Sequence, residues 1–346
     1  WTAGRRDLQR NHGVLWAVGM VESSTAGCRG GGEVHKEVAM FGQAQFAAEN
    51  RLVNEVLARV GTMIVSHRGV GYASLAENSA LAVRAAVLSG SDMVELDVTS
   101  SRDGEFFGFH DGYELELLGF EKNLQTLTAG EVDKASHVWI DRPGRQARVE
   151  RLLPLLESFR GSGVLLQLDR SWWRWPQLLR AAATLKMSDQ LVMKCPAWEE
   201  AALERLREFP TKYPLIPICS SPDDVYRPVG DPQLNTVGVE LITTTERSPW
   251  FCDSVIEEFH DLGVFSLVST VTLTTGVPLF GGLDDELAVA DSPDTAWGPI
   301  FELGIDAIQT DWPWLLRDYR ELRRAMTKPL LDEDLATPDA GATGRS

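Results

Sequence analysis

The chain has 346 residues, with 33 basic and 50 acidic side chains and a formal net charge of −17. Such an acidic surface repels nucleic acid, and no basic stripe offsets it, so no nucleic-acid partner is expected. No apolar run approaches the roughly 18 residues that a spanning helix needs, so stable membrane insertion is not expected either.

Residues 1–60 show no alternation of strands and helices and are predicted to form a poorly defined N-terminal extension. Within it, a helix is expected at residues 45–60, directly before the first strand. Two arginines, a short apolar run and Cys28 are weakly similar to an export signal, but Glu22 interrupts the run. A cytoplasmic location is therefore favoured, and export through this segment is the alternative.

Eight short apolar segments follow, and amphipathic stretches of helical length lie between most of them. Strands that are rich in Val, Leu and Ile without polar alternation are typical of a parallel sheet buried on both faces. The predicted strands are 63–66, 93–98, 164–169, 191–195, 215–219, 237–241, 264–268 and 307–310, and the predicted helices between them include 79–88, 176–185, 197–208, 254–262 and 314–325. This pattern predicts an α/β fold, a TIM (β/α)8 barrel over residues 61–326.

The connection after the second strand is unusually long. It passes through an extra strand-like piece at residues 105–110 and then through a polar segment. The pattern predicts a small insertion after the second strand, at about residues 111–148, over one end of the barrel. Residues 327–346 end in small and polar side chains and are predicted to form a flexible tail.

Polar side chains collect at the C-terminal ends of the predicted strands, where TIM barrels place their working residues. Glu95 and Asp97 are two apart on one strand, so their side chains point to the same side. Two adjacent carboxylates repel each other unless a cation lies between them, and a divalent ion meets that need, with Asp169 as third ligand. The alternative for the Glu-x-Asp pair is that the two acids cap loop backbone.

His67 and His110 each follow a β-type run directly. Phosphodiester cleavage needs a base for the attacking oxygen and an acid for the leaving alkoxide, and imidazole suits both tasks. Arg68, next to His67, is suited to a bidentate contact with phosphate, and its alternative role is a surface salt bridge. Together these residues predict a metal-dependent phosphodiesterase.

The remaining cysteines, tryptophans and histidines give weaker evidence about function. The cysteines form no CxxC pair, and Cys195 and Cys219 are predicted to be small buried residues. For the tryptophans after Asp169, both a wall of the substrate pocket and loop packing remain open. Four histidines are predicted to be structural or exposed: His12, His35, His137 and His260.

The polar residues form an ordered set that resembles the glycerophosphodiester phosphodiesterase family over residues 62–325. The set reads His67-Arg68-Gly69, Glu77-Asn78-Ser79, Glu95-Leu96-Asp97-Val98, Arg102-Asp103-Gly104, Phe109-His110-Asp111 and finally Ile308-Gln309-Thr310-Asp311-Trp312-Pro313. The resemblance implies a TIM barrel, a divalent metal (Mg²⁺ or Ca²⁺), and hydrolysis of a glycerophosphodiester to glycerol phosphate and an alcohol. It also implies that His67 and His110 act as acid and base, in an order that stays open.

The same resemblance implies metal ligation by Glu95 and Asp97 and a phosphate contact from Arg68. The family's third ligand is usually a glutamate in a Glu-x-Lys strand ending, whereas this strand reads Gln167-Leu168-Asp169-Arg170. Asp169 is assigned to the glutamate position, and Lys194 at the end of the next strand is assigned the missing positive charge. Gln167 and Lys194 therefore join Arg68 as predicted substrate-binding residues, and the departure indicates a divergent subgroup.

Two other functions remain open. The same scaffold could serve a transferase or lyase, similar to agrocinopine synthases or lysophospholipase D enzymes. A non-catalytic barrel that binds phosphorylated sugars is favoured only by the Asp169 departure, and the full His, Glu and Asp set argues against it. The expected partner is a small-molecule phosphodiester, and the sequence leaves the alcohol moiety and the oligomeric state open.

Overall fold

The computed structural model describes residues 40–72, 74–139 and 142–334. The predicted N-terminal extension up to residue 39, and the predicted tail from residue 335, lie outside the described residues, whereas residues 327–334 of that predicted tail are helical. The strands are β1 Met63–Ser66, β2 Met93–Ser100, β3 Phe106–Gly108, β4 Ser136–Val138, β5 Arg145–Arg148, β6 Glu150–Arg151, β7 Leu165–Asp169, β8 Leu191–Pro196, β9 Leu215–Cys219, β10 Gly238–Leu241, β11 Phe265–Ser269 and β12 Ala307–Thr310.

Helices follow most of the strands along the chain. They are α1 Ala47–Val60, α2 Ala80–Leu88, α3 Glu114–Leu118, α4 Ala129–Val132, α5 Leu152–Glu157, α6 Gln177–Ala183, α7 Glu200–Glu208, α8 Pro222–Val229, α9 Asp253–Asp261, α10 Asp285–Ala290, α11 Pro293–Ala296, α12 Gly298–Glu302 and α13 Pro313–Asp334. None of these described helices combines the length and the apolar character that would let it cross a membrane.

Eight parallel strands close into a barrel in the order β1-β12-β11-β10-β9-β8-β7-β2, and pairing of β1 with β2 completes the ring. The predicted TIM barrel is therefore confirmed. All eight predicted strands are present, and no predicted end is wrong by more than two residues. The five predicted helices and the helix before β1 are also present. Sequence reasoning missed α8, which has a proline at each end, and the short helices α10 to α12.

The insertion begins where β3 turns back antiparallel to the end of β2, and β6 pairs with β3 in turn. Between them lie α3, α4 and the β4–β5 hairpin. These pieces share a small apolar core of their own, which includes Phe107, Phe109 and Leu118. Because Phe109 is buried in that core, the insertion holds the adjacent residue His110 at the edge of the barrel.

Side chains alternate along each barrel strand, so every second residue points into the barrel. The inward residues at the N-terminal end are apolar and pack with α1 in one cluster, which includes Met63, Leu165, Val192, Ile216 and Phe265. A Cβ at Gly238 would lie 2.6 Å from the Phe265 ring, so a larger residue at this strand position would force the ring to move. We call this apolar end the base of the barrel.

On five of the eight barrel strands the next inward residue is polar. These residues are Glu95 on β2, Gln167 on β7, Lys194 on β8, Glu240 on β10 and Gln309 on β12, all of them buried. We call this C-terminal end the mouth of the barrel.

Candidate active site

His67 lies just past the end of β1 at the mouth. Its backbone N–H donates to the carbonyl of Thr310 at 3.1 Å, and its Nδ1 lies 2.9 Å from Asp311 Oδ1. A carboxylate only accepts, so Nδ1 carries the proton and Nε2 is left for chemistry. Burial and the Arg68 charge lower the pKa of His67, but the Asp311 carboxylate and Glu95 outweigh them and raise it above its usual value.

Arg68 follows with a left-handed backbone, at φ 54°. This conformation turns its N–H to Glu95 Oε2, at 2.9 Å, while its guanidinium lies 3.1 Å from Glu77 Oε1 and 3.0 Å from Asp97 Oδ2. Burial lowers the pKa of Arg68, but the surrounding carboxylates, with Asp97 foremost, raise it well above its usual value. The alternative of a surface salt bridge is wrong, because the partners of Arg68 lie inside the mouth.

Glu95 and Asp97 share the inward face of β2, as predicted. Asn78 holds Asp97 from both sides: its Oδ1 accepts from the Asp97 N–H at 2.9 Å, and its Nδ2 donates to Asp97 Oδ2 at 3.2 Å. Burial and the Asp97 charge raise the pKa of Glu95 to about 8, whereas His110 and Arg68 outweigh burial and lower that of Asp97. Among the described contacts, Glu95 Oε1 and Asp97 Oδ1 take part in no hydrogen bond.

Asp169 ends β7 directly opposite Asp97 on β2. Both of its oxygens are engaged: Oδ1 accepts from the Arg170 N–H at 2.6 Å, and Oδ2 lies 3.0 Å from Lys194 Nζ. Lys194 also lies 2.7 Å from Glu240 Oε2, so one buried ammonium bridges two carboxylates. Burial lowers the pKa of Lys194, but these two carboxylates raise it well above its usual value.

Gln167 lies opposite Glu95 on the neighbouring strand. Its side chain is fully buried, and within the described structure neither amide atom has a hydrogen-bond partner. An unpaired buried amide carries a desolvation penalty of about 1–3 kcal/mol, which a bound polar group would remove.

His110 reaches the mouth from the insertion. Its Nδ1 donates to the carbonyl of Asp111 at 3.0 Å, and its ring meets the Tyr113 ring edge-on at 4.4 Å. Burial lowers the pKa of His110 to about 4, because the nearby Asp97 is offset by Arg68 and Arg170. The structure thus brings together all eight residues predicted for the site: His67, Arg68, Glu95, Asp97, His110, Gln167, Asp169 and Lys194.

Sequence reasoning missed several residues that complete the mouth. Asn78 and Asp311 lie in motifs that carry the family resemblance, but no role was assigned to them. Glu240 had a usable signal, because it is a single charge inside an otherwise apolar strand. Asp285 lies in the β11–β12 connection, where no strand ends, and sequence spacing gave no reason to select it.

The residues predicted to be structural are placed away from the chemistry. His260 pairs with Asp306 at 2.8 Å near the base, and His137 is buried in the insertion. Cys195 and Cys219 are buried, as predicted. Trp175 is buried and donates to Ser171 at 3.0 Å, which confirms loop packing for this tryptophan.

No group of three His, Cys, Asp or Glu side chains among the described residues is arranged as a ready metal site. The donor set nevertheless suits a hard cation in part, since Glu95 and Asp97 each keep one carboxylate oxygen out of hydrogen bonds. Asp169 keeps none, because Lys194 and the Arg170 N–H occupy both of its oxygens.

Comparison with known protein families and with curated protein sequences gives one match. Residues 67–172 match the model of the glycerophosphoryl diester phosphodiesterase family. No curated protein sequence matches the chain significantly.

Solved structures share the fold. A glycerophosphoryl diester phosphodiesterase from Parabacteroides distasonis is 17% identical with a TM-score of 0.59, covering 82% of this chain and 90% of its own. A glycerophosphodiester phosphodiesterase from Agrobacterium tumefaciens is 22% identical with a TM-score of 0.50, covering 73% and 98%. A phosphodiesterase from Oleispira antarctica, in complex with the product sn-glycerol-3-phosphate, is 17% identical with a TM-score of 0.55, covering 79% and 99%. Residues 67–172, which span the His-Arg, Glu-x-Asp and His-Asp motifs, are thus similar to the glycerophosphoryl diester phosphodiesterase family, and the solved structures share the barrel fold.

Proposed function

We propose that the protein hydrolyses glycerophosphodiesters to glycerol phosphate and an alcohol, with acid and base catalysis by His67 and His110. The observation that carries the proposal is the mouth itself, where two imidazoles, a Glu-x-Asp pair and a buried arginine lie together. The product complex of the Oleispira antarctica phosphodiesterase supports this substrate class, because that protein has the same fold.

The two histidines are in different protonation environments. The pKa of His67 is raised and that of His110 is lowered, so at neutral pH His110 is unprotonated and available to accept a proton, whereas His67 holds a proton more readily. Opposite shifts of this kind are how one site supplies both an acid and a base. His67 presents Nε2, since Asp311 fixes its Nδ1, and His110 presents Nε2, since the Asp111 carbonyl fixes its Nδ1.

We assign a divalent metal, Mg²⁺ or Ca²⁺, to Glu95, Asp97 and Asp169. Such an ion would bind nonbridging phosphate oxygens and lower the pKa of the attacking hydroxyl. Glu95 and Asp97 have an oxygen free for it, whereas Asp169 must give up Lys194, which can keep Glu240 as its partner. This competition is specific to Asp169 among the three assigned ligands.

Three residues are assigned to substrate binding. Arg68 Nη2 has no partner among the described residues, and the planar guanidinium suits a phosphate. Lys194 adds a second positive charge, and the unpaired amide of Gln167 adds a neutral donor and acceptor.

The test is cleavage of glycerophosphocholine and glycerophosphoethanolamine with Mg²⁺, with Ca²⁺ and after chelation. Wild type is compared with Glu95→Gln, and Glu105→Gln serves as control, because Glu105 is exposed and pairs with Arg151. We expect metal-dependent release of glycerol phosphate from wild type and the control, and loss of turnover in Glu95→Gln.

The reaction products distinguish hydrolysis from the alternative functions, which are a lyase, a transferase and a non-catalytic barrel. A cyclic phosphate would assign a lyase and a new diester would assign a transferase, both on the same residues. Substrate binding without turnover under every metal condition would contradict catalysis and support a phosphosugar-binding barrel.

A further inference from the structure

Asp285 is a buried carboxylate outside the assigned site. It is the first residue of α10, in the connection between β11 and β12, and only 2% of it is exposed. A buried carboxylate without a cation partner needs hydrogen-bond donors to remain stable.

Four donors surround this carboxylate. Thr270 Oγ1 lies 2.6 Å and Trp297 Nε1 3.2 Å from Asp285 Oδ1. Thr310 Oγ1 lies 2.9 Å from both oxygens, and the backbone N–H of Asp311 lies 2.7 Å from Oδ2. Asp285 therefore fixes two consecutive residues at the end of β12.

Those two residues are the ones that hold His67. The Thr310 carbonyl accepts the His67 backbone N–H at 3.1 Å, and Asp311 Oδ1 lies 2.9 Å from His67 Nδ1. The side chain of Asp311 is 35% exposed, so packing alone does not determine its orientation. Its backbone direction depends on the hydrogen bond to Asp285.

We propose that Asp285 is a positioning residue, which sets the Asp311 carboxylate so that His67 is held in its Nδ1–H form with Nε2 toward the substrate. Its catalytic consequence rests on the proposed function, but the arrangement of the three residues does not. Groups that orient a histidine in this way typically change activity by about 10- to 100-fold when they are removed.

The chain offers a matched control at the opposite end of the same strand. Asp306 precedes β12, is 9% exposed, and accepts from His260 Nε2 at 2.8 Å and from the Ser266 N–H and Oγ at 2.9 Å. Asp306→Asn and Asp285→Asn thus change the same chemical group in similar hydrogen-bond networks, but only Asp285 leads to His67.

The experiment measures kcat, KM, Tm and the ¹⁵N-histidine NMR spectrum of wild type and both variants. We expect Asp285→Asn to lower kcat at least 10-fold with KM within about twofold. The amide keeps only one acceptor oxygen, so the donors around this residue lose one acceptor and the end of β12 is no longer held as in wild type. We expect Asp306→Asn to lower Tm and to leave kcat within about twofold of wild type.

Equal effects of the two variants on kcat would overturn the proposal, because they would indicate a general loss of stability. The NMR signal of His67 Nδ1–H separates this test from the proposed function. If wild type has no turnover, a shift of that signal in Asp285→Asn alone still supports positioning, and an unchanged signal overturns it. If Asp285→Asn does not fold, Thr270→Val removes the 2.6 Å donor to Asp285, together with the 2.9 Å contact of the same hydroxyl with the Gln309 carbonyl. This variant is judged by the same kcat and NMR measurements.

Discussion

The base and the mouth of the barrel are lined by the same eight strands but are filled in opposite ways. At the base, inward residues such as Met63, Val192 and Phe265 form one apolar cluster with α1. Two residues further along five of the strands, the inward side chains are charged or amide-bearing, and the buried Lys194 bridges Asp169 and Glu240.

This difference shows where the fold obtains stability and where it carries function. Burial of apolar side chains stabilises the base, whereas buried charges are costly and contribute little net stability even when they are paired. A structure that keeps so many charges at one end of its interior is specialised for chemistry at that end. The following changes separate the two ends, in order of expected effect.

The largest effect is expected from His67→Ala at the mouth. Loss of a general acid or base lowers kcat by about 10²- to 10⁴-fold. Since His67 contributes no apolar burial at the base, Tm should change little. Steady-state kinetics and thermal unfolding measure the two effects, and His260→Ala is the control, because His260 lies near the base. A comparable loss of kcat in His260→Ala would contradict the separation of the ends.

Lys194→Met should destabilise the mouth. Removal of the ammonium leaves Asp169 and Glu240 buried together without a cation, which costs about 3–5 kcal/mol of unfolding free energy. Urea unfolding measures this change. Lys212→Met is the control, since Lys212 donates only to the carbonyls of Leu206 and Arg207 and should cost much less. Equal losses would show that the charge bridge contributes no special stability.

Gly238→Ala tests the base. The new Cβ would lie 2.6 Å from the Phe265 ring, and overpacking of this kind costs about 1–3 kcal/mol. We expect a lower urea midpoint with unchanged KM. The second change Phe265→Leu should recover part of the loss by making room for the methyl group. No recovery in the double variant would mean that backbone strain, rather than the ring contact, is responsible.

The last change, Asp311→Asn, is judged by a shift of the pH profile rather than by the size of a rate loss. The Asp311 carboxylate raises the pKa of His67, so its removal lowers that pKa. If His67 acts in its protonated form, activity is lost as pH rises through this pKa, and the basic limb of kcat/KM moves to lower pH. If the basic limb of kcat/KM does not move, a group other than His67 titrates there.

The fold was largely predictable because its pattern is local. Each barrel strand is a short apolar run with a helix after it, and that alternation can be read along the chain without knowledge of neighbours. The helices α10 to α12 were missed because they have only four to six residues each, too few to show a helical period.

The site was predictable where residues end strands, as His67 and Asp169 do, or share one face of a strand, as Glu95 and Asp97 do. Their partners were not, because Asp311 and Glu240 reach His67 and Lys194 from strands far along the chain. Nothing in the sequence near Asp285 indicates that its carboxylate holds the end of β12.

The sequence by itself determined the barrel, the polar strand ends and the resemblance to a family, because periodicity and motif order are properties of neighbouring residues. The tertiary structure alone decided which carboxylates are free and which are already paired. Among the described contacts, Glu95 and Asp97 each have one carboxylate oxygen without a hydrogen bond. Both carboxylate oxygens of Asp169 have a partner, one in Lys194 and the other in the Arg170 N–H. The physical reason is that pairing of buried charges depends on distances across the barrel, which closure of the sheet sets and spacing along the chain does not.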